Sequence, residues 1–339
     1  MGLSEIKVYV TRSLLPPYLE ILKEICTPEI WSGNNPPPRK ILLEKVKEKD
    51  GLLCLLTEKI DKELMENGKD LVVISTMSVG FEHIDIKEAT ERGIYICNTP
   101  GVLTEAVADH TLALLLATAR RMIEADLFIR GKKWTMPWSP TMLLGASVYG
   151  KTLGLIGLGR IGQAVAKRAS GFNMKVIYYD VDRQNPDVEN DLNVKYYEFD
   201  EVLKESDFIS IHVPSTKETH HLIGDRELDL MKPESFFINT ARGAIVDEKA
   251  LFKALKEKKI QGAGIDVWEK EPTNLNNPLF KLDNTVLTPH IASATVESRT
   301  MMAKLSAKNL VAVLKGEMPI SLVNKDVLKV RPLSKVKRV

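Results

Sequence analysis

The sequence of 339 residues is poor in cysteine, has no excess of one charge and contains no long hydrophobic run. Its three cysteines, Cys26, Cys54 and Cys97, cannot all pair, and none has a neighbour at metal-ligand spacing. No metal site is therefore expected, and a reducing cytoplasm suits these thiols.

The charge balance and the apolar runs exclude further classes of protein. Lysine and arginine total 47 against 45 aspartate and glutamate residues, which argues against nucleic acid as a partner. The longest apolar run is far shorter than the ~20 residues of a membrane span. Residues 1–14 do not combine a basic stretch with an apolar segment, so we expect a soluble, unsecreted cytoplasmic protein with no membrane partner.

Hydrophobic residues make up 44% of the chain, enough for more than one core. Short apolar runs alternate with amphipathic stretches, a pattern typical of α/β proteins with parallel sheets. The first series of predicted strands is Ile6–Val10, Leu52–Leu56, Leu71–Ile74 and Tyr95–Cys97. The second series is Leu153–Ile156, Lys175–Tyr179, Phe208–His212, Phe236–Asn239, Ala263–Val267 and Thr285–Leu287.

A long apolar helix and an aromatic stretch separate the two series. The pattern predicts a buried helix over 104–122 and another helix over 295–314. The irregular stretch 134–142 contains Trp134 and Trp138, too much aromatic surface to face water alone. It packs either on another subunit or within its own domain.

The hexapeptide Gly157–Gly162, of sequence GLGRIG, follows a predicted strand and opens a predicted helix. In that context Gly157 suits a tight turn, Gly159 lets the backbone approach a pyrophosphate, and Gly162 allows close packing of helix on strand. The helix N-terminus then supplies N–H donors to the anion. The hexapeptide therefore predicts a dinucleotide site, with a ligand-free glycine turn as the alternative.

Asp180 ends the next predicted strand, where an acid bonds the adenosine ribose and repels the extra phosphate of NADP. NAD(H) is therefore the favoured cofactor. Arg183 lies three residues on and is positioned to attract that phosphate, which leaves NADP(H) open. A plain turn aspartate is the alternative for Asp180.

Arg242, Glu271 and His290 each follow a predicted parallel strand, at the sheet edge where open α/β sheets bind ligands. Singly, each has an ordinary explanation as a surface, turn or core residue. Together they match carbonyl reduction, which needs a proton donor, an anchor for an anionic substrate and a group that keeps the donor protonated.

These motifs, with the sequences NTARG at 239–243, DVWEKEP at 266–272 and TPH at 288–290, resemble the D-isomer-specific 2-hydroxyacid dehydrogenase family over nearly the whole chain. Segments 98–110, 150–162, 171–174 and 322–325 look most like the archaeal glyoxylate reductases of that family. The resemblance implies two doubly wound parallel-sheet domains. A Rossmann NAD-binding domain over 102–290 is inserted into a flavodoxin-like catalytic domain formed by 1–101 and 291–339.

The resemblance also assigns roles to residues. It makes Arg242 the ligand of the substrate carboxylate and carbonyl, Glu271 the partner of the histidine and His290 the acid/base. The backbone of Val79 and Gly80 would cradle the carboxylate, Leu56 would wall the pocket, and the 104–149 segment would form a homodimer. The resemblance further places these residues at the cofactor: Arg160, Ile161, Val213, Pro214, Thr240, Ala241 and Asp266.

The leading hypothesis is an oxidoreductase that reduces glyoxylate, and secondly hydroxypyruvate, with NADH. Another substrate of the family, such as D-glycerate, D-lactate or phosphite, is the alternative within enzymes. A corepressor that senses NAD is the alternative outside them. The other histidines considered, His83, His110, His220 and His221, are interpreted as structural or solvent-facing because none follows a strand of the second series with a matching acid.

Overall fold

The computed structural model describes residues 6–336, which form two compact units. Unit 1 comprises the described part of 1–103 together with that of 295–339, and unit 2 comprises 104–294. Residues 1–5 and 337–339, part of the predicted catalytic domain, lie outside the described residues. Within 6–336, none of the helices has both the length and the apolar character needed to cross a bilayer.

Unit 1 is a five-stranded parallel sheet in the order β2-β1-β3-β4-β5, which is the flavodoxin-like order. Its strands are β1 (Val8–Val10), β2 (Glu29–Ile30), β3 (Gly51–Cys54), β4 (Val73–Thr76) and β5 (Tyr95–Cys97). Its helices are α1 (Tyr18–Lys23), α2 (Arg39–Lys45), α3 (Lys62–Asn67), α4 (Ile86–Glu91), α12 (Val296–Leu314) and α13 (Val327–Val330).

Unit 2 is a seven-stranded parallel sheet in the order β12-β11-β10-β9-β6-β7-β8. Its strands are β6 (Thr152–Ile156), β7 (Lys175–Tyr179), β8 (Val194–Tyr196), β9 (Phe208–Ile211), β10 (Phe236–Asn239), β11 (Gly262–Ile265) and β12 (Thr285–Leu287). Its helices are α5 (Thr104–Ala119), α6 (Met122–Arg130), α7 (Arg160–Ala169), α8 (Pro186–Leu192), α9 (Phe199–Glu205), α10 (Asp225–Leu230) and α11 (Glu248–Lys256). Counted from β6, this is the Rossmann order 3-2-1-4-5-6 with one added strand.

The sheet of unit 2 is buried on both faces because successive apolar side chains enter two different cores. Leu155 packs in the core that contains α5 and α7, whereas Ile156 packs in the core that contains α10 and α11. Such double burial is typical of parallel sheets covered by helices. The strand order reverses between β6 and β9, so the crevice at their carboxyl ends is the expected ligand site. The predicted pair of doubly wound parallel-sheet folds is confirmed.

The predicted continuous helix over 104–122 is wrong at its end. Helix α5 stops at Ala119, and Arg121 adopts a left-handed conformation with φ 53° before α6 begins. The Arg121 guanidinium holds this break, since its Nε and Nη2 each lie 2.7 Å from an oxygen of Glu124. Helix α6, over Met122–Arg130, was not predicted.

Several strand boundaries also differ from the prediction. Strand β4 extends to Ser75 and Thr76, which are polar residues but are fully buried. The Ser75 hydroxyl tolerates burial because its Oγ donates to the Ser306 carbonyl at 2.8 Å. The short edge strands β2 and β8 were missed, since two or three residues carry no periodicity. Strand β3 ends at Cys54, so Leu56 lies in the loop after it.

The aromatic stretch does not pack within its own unit. Trp134 is 55% exposed and Trp138 is 78% exposed, which contradicts packing within the domain, one of the two alternatives left open by the sequence. Met136 and Leu144 are exposed beside them, so the stretch presents apolar surface to its surroundings.

Candidate active site

The glycine loop has the geometry that a bound pyrophosphate requires. Gly157 has φ +97°, and a side chain there would lie 2.7 Å from the His212 carbonyl oxygen. A side chain at Gly162 would lie 2.3 Å from the Gly157 carbonyl, so this glycine sets the contact of helix with turn. A Cβ on Gly159 would meet no atom of the described chain within 4 Å, which leaves this backbone open to a ligand.

Donors for an anion lie at the same point. Helix α7 begins at Arg160 directly after Gly159, and the N-terminus of a helix carries unsatisfied N–H groups and a partial positive charge. Within residues 6–336, the backbone N–H groups of Arg160 and Ile161 have no hydrogen-bond partner. The loop therefore fits the pyrophosphate of a dinucleotide.

The Asp180 carboxylate is tied to this loop. Its Oδ2 accepts a hydrogen bond from the backbone N–H of Leu158 at 2.8 Å, and its side chain remains partly exposed. The contact fixes the acid at the end of β7 beside the glycine loop, where an acid that binds ribose hydroxyls is expected.

Arg183 is bound elsewhere. Its Nε and Nη2 lie 2.8 and 2.9 Å from the two oxygens of Glu189, and its guanidinium stacks over the Tyr196 ring at 5.3 Å. Hydrogen bonds from Arg183 and the Tyr178 hydroxyl hold the pKa of Glu189 at about 2. The arginine that could attract a 2′-phosphate is therefore neutralised by a carboxylate that sequence reasoning did not identify.

The remaining residues predicted at the cofactor lie in loops at the carboxyl ends of strands. Val213 and Pro214 follow β9, and Val213 lies beside the glycine loop, within 3.0 Å of a Cβ placed on Gly157. Thr240 and Ala241 follow β10, where the Thr240 hydroxyl is 2.9 Å from that of Thr111. These loops flank the point where the strand order reverses.

Glu271 and His290 form a direct pair. His290 Nδ1 lies 2.7 Å from Glu271 Oε2, and Glu271 Oε1 accepts the backbone N–H of Trp268 at 3.1 Å. The hydrogen bond from Trp268 fixes the Glu271 carboxylate, and the fixed carboxylate in turn orients the His290 imidazole. His290 Nε2 has no partner among residues 6–336, which leaves it for a ligand.

Arg242 follows β10, the strand next to β11 in the sheet. Its Nη1 donates to the Ala241 carbonyl at 2.7 Å. The next residue, Gly243, packs against the loop after β11, since a Cβ there would lie 1.8 Å from the Trp268 carbonyl carbon. The backbone of the loop after β10, which carries Arg242, therefore packs closely against the loop after β11, which carries Glu271.

Asp266 is fully buried and ionised. Burial alone would raise its pKa, but hydrogen bonds from His110, Thr288, Ile291 and Ala292 outweigh burial and hold the pKa at about 2. Its side-chain oxygens are occupied by the turn that carries His290. The role of Asp266 at the cofactor stays a prediction.

In unit 1, residues 78–80 follow β4 in a loop whose carbonyls are all satisfied. The Ser78 carbonyl accepts the Thr99 N–H, the Val79 carbonyl accepts Asn98 Nδ2 at 2.7 Å, and the Gly80 carbonyl accepts Ser78 Oγ at 2.7 Å. The N–H groups of Val79 and Gly80 have no acceptor in the described part of the chain. This loop therefore presents backbone donors suited to an anion.

Leu56 is 38% exposed in the loop after β3, in the same unit. The buried Glu58 holds this loop by accepting the Leu55 N–H at 2.6 Å and the Thr11 hydroxyl at 2.9 Å.

Comparison with known proteins identifies the family. The family model for the D-isomer specific 2-hydroxyacid dehydrogenase, NAD binding domain, matches residues 112–292. The chain belongs to the D-isomer specific 2-hydroxyacid dehydrogenase family. Its relatives include the glyoxylate reductase of Thermofilum pendens, 56% identical over 98% of this chain and 98% of the relative.

Solved structures agree with this assignment to the dehydrogenase family. A protein of Thermus thermophilus has a TM-score of 0.88 at 44% identity, covering 94% of this chain and all of that one (100%). An NADPH-dependent glyoxylate/hydroxypyruvate reductase of Sinorhizobium meliloti, solved with NADP and malonate, has a TM-score of 0.82 at 31% identity and covers 96% of this chain and 98% of its own. Unit 2 therefore contains the NAD-binding fold of this family.

Two features of the dehydrogenase were missed from sequence. The contact of His110 was one of them: its Nε2 lies 3.3 Å from Thr288 Oγ1, next to the turn of His290, which fits the interpretation of His110 as structural but was not itself predicted. The ion pair of Glu189 with Arg183 could not be predicted from sequence, because it forms only when helix α8 places Glu189 beside the arginine. Among residues 6–336 there is no group of three His, Cys, Asp or Glu side chains placed to hold a metal ion.

Proposed function

We propose that this dehydrogenase reduces glyoxylate, and secondly hydroxypyruvate, to the 2-hydroxy acid with NADH. The observation that supports this most is the contact between His290 and Glu271. It leaves Nε2 of His290 for a ligand, at the same sheet edge as the glycine loop. The names of relatives, glyoxylate reductase and glyoxylate/hydroxypyruvate reductase, support the choice of substrate.

Gly157, Gly159, Gly162 and the start of α7 would hold the pyrophosphate, and Asp180 would accept the ribose hydroxyls. A bound nicotinamide supplies the hydride. NADH is preferred because the Asp180 carboxylate repels a 2′-phosphate while Arg183 is engaged by Glu189. NADPH remains a weaker alternative on this arrangement, although a relative is named as NADPH-dependent.

His290 would donate a proton from Nε2 to the oxygen of the substrate carbonyl as charge develops there. Glu271 would orient the imidazole for this transfer, since its Oε2 lies 2.7 Å from His290 Nδ1. Arg242 would bind the substrate carboxylate and polarise the carbonyl through charge-assisted hydrogen bonds. In unit 1, the roles of Val79 and Gly80 as backbone donors to a carboxylate and of Leu56 as a pocket wall stay predictions from the family resemblance.

This assignment makes unit 1 the catalytic domain and unit 2 the cofactor domain. We also propose a reducing cytoplasm as the place of action. Cys26, Cys54 and Cys97 are all free thiols, and the last two are buried.

The test is steady-state turnover of two panels of acids. The 2-oxoacids glyoxylate, hydroxypyruvate and pyruvate are each assayed with NADH and with NADPH, and the hydride donors D-glycerate and phosphite are each assayed with NAD⁺ and with NADP⁺. We expect the highest kcat/KM for glyoxylate with NADH, and loss of ~10²–10⁴-fold in His290→Ala with little change in NADH affinity. His220→Ala, which changes an exposed histidine, serves as the control. Tight NADH binding without turnover of any acid would instead favour a binding protein of the corepressor type.

We propose in addition that two copies associate through the 104–149 segment. Helix α6 and the following stretch expose apolar side chains that a single copy leaves uncovered. They are Met122, Ile123, Leu127, Ile129, Trp134, Met136, Trp138, Leu144 and Tyr149. A patch of this kind marks an interaction site, and the commonest soluble assembly is a two-fold homodimer.

Sedimentation velocity tests the dimer. Leu127→Glu and Trp138→Glu should give monomers, because each places a charge in the contact. Ile320→Glu is the matched control, since Ile320 is 71% exposed but lies in unit 1. A wild type that sediments as a monomer would contradict the proposal.

A further inference from the structure

His290 has a backbone conformation that histidine seldom adopts. Its φ is +56°, in the left-handed region, which is sterically unfavourable for a non-glycine residue. A residue in this conformation keeps its geometry only if its neighbours hold the turn. The direction in which the imidazole points therefore depends on the groups that hold residues 288–292.

One carboxylate holds this turn. Asp266 Oδ1 accepts the Ile291 N–H at 2.8 Å and the Thr288 hydroxyl at 2.6 Å, while Oδ2 accepts the Ala292 N–H at 2.8 Å. The backbone carbonyl of Asp266 accepts the His290 N–H at 2.7 Å. Asp266 thus bonds to residues on both sides of His290, and it is fully buried while doing so.

His110 on α5 completes the arrangement. Its Nε2 lies 3.3 Å from Thr288 Oγ and 3.5 Å from Asp266 Oδ1. The Thr288 hydroxyl has one proton, which it donates to Asp266 at 2.6 Å, so it can only accept from His110. Nε2 of His110 therefore carries a proton, and this N–H is one of the few donors near a carboxylate that is cut off from water.

We propose that His110 is a positioning residue for His290, acting through Thr288 and Asp266. The inference rests on the proposed function, in which His290 is the proton donor. Removing the His110 imidazole leaves the buried carboxylate with one donor fewer and frees the Thr288 side chain to rotate. The turn then loosens, and His290 Nε2 spends less time at the position where it meets the substrate.

Kinetics with three variants test the proposal. In His110→Ala we expect kcat with glyoxylate to fall ~10–100-fold, as for a misplacement of about 1 Å, while the dissociation constant of NADH changes by less than about 3-fold. His110→Gln should recover most of the loss, because its Nε2 can donate from nearly the same place. His220→Ala is the control and should match the wild type.

Hydrogen–deuterium exchange supplies a readout that does not depend on turnover. Peptides that cover 288–294 should exchange faster in His110→Ala than in the wild type or in His110→Gln, because the N–H groups of Ile291 and Ala292 lose protection. Where His110→Ala does not fold, Thr288→Val removes the bridging hydroxyl alone and should give the same two effects.

The outcomes separate this inference from the proposed function. Wild-type kcat and wild-type exchange in His110→Ala would overturn the inference. So would equal losses of activity and melting temperature in the Ala and Gln variants, because they would show a purely structural role. Faster exchange at 288–294 with unchanged kcat would show that His110 holds the turn without positioning His290, and it would also overturn the inference. The proposed function fails separately, if His290→Ala keeps most of the activity.

Discussion

His290 Nδ1 lies 2.7 Å from Glu271 Oε2, and the other oxygen of the same carboxylate holds the Trp268 N–H at 3.1 Å. Glu271 therefore orients the imidazole through one oxygen while the other oxygen anchors the carboxylate to the backbone. An imidazole held in this way at Nδ1 presents Nε2 outward, as a proton donor to a carbonyl requires.

Glu271→Gln should keep a hydrogen-bonding side chain beside His290 but replace a charged acceptor with a neutral one, and hydrogen bonds to charged groups are the stronger ones. We expect kcat for glyoxylate reduction to fall on the order of 10-fold, while the dissociation constant of NADH is unchanged. The measurements are kcat and kcat/KM with glyoxylate, beside a fluorescence titration with NADH. Unchanged kinetics would remove Glu271 from its proposed role.

Arg242→Lys should lower kcat/KM for glyoxylate by a factor on the order of a hundred, because hydrogen bonds to charged groups contribute ~1.5–3 kcal/mol and lysine lacks the planar fork of guanidinium. The effect should appear with every 2-oxoacid, since each carries the same carboxylate. NADH affinity, measured by fluorescence titration, should be unchanged. Near-normal kinetics would place the substrate carboxylate on other donors.

Asp180→Ser should raise kcat/KM with NADPH relative to NADH, because it removes the carboxylate that repels a 2′-phosphate. Since Glu189 engages Arg183 at 2.8 and 2.9 Å, the single substitution leaves this cation neutralised. Asp180→Ser/Glu189→Gln should therefore use NADPH better still, and adding Arg183→Gln should cancel that second gain. A wild type that prefers NADPH would show that Asp180 does not set the choice.

Much of this site could be predicted because its residues follow strands. The glycine loop depends on local sequence, and the rule that parallel strands end at one edge predicted a common edge for Glu271 and His290. Their direct pairing was predicted from the family resemblance. His110 and Thr288 are 178 residues apart, and only the packing of α5 brings them together, so no local pattern could pair them. The break at Arg121 was missed for a related reason, because a left-handed arginine depends on its contacts with Glu124 and Leu144 rather than on helix propensity.

Asp266 should make the stability of unit 2 sensitive to acid. Its pKa lies at about 2 in the folded chain against an ordinary value of 3.8, so the ionised form is favoured by folding. The corresponding stabilisation, on the order of 2 kcal/mol, is fully present above about pH 4 and is lost as pH falls through about 2.

Asp266→Asn tests the predicted loss of stability at acid pH. The amide does not titrate and can accept with only one atom, so the variant should unfold at lower urea concentration than the wild type at pH 7. The difference between the two midpoints, followed by circular dichroism at pH 7, 5, 3 and 2, should be constant from pH 7 to pH 5 and then shrink. Asp70→Asn, at an exposed position, should show a small difference at every pH. A gap between wild type and Asp266→Asn that stays constant down to pH 2 would show that the carboxylate is not held in its ionised form by the turn around His290.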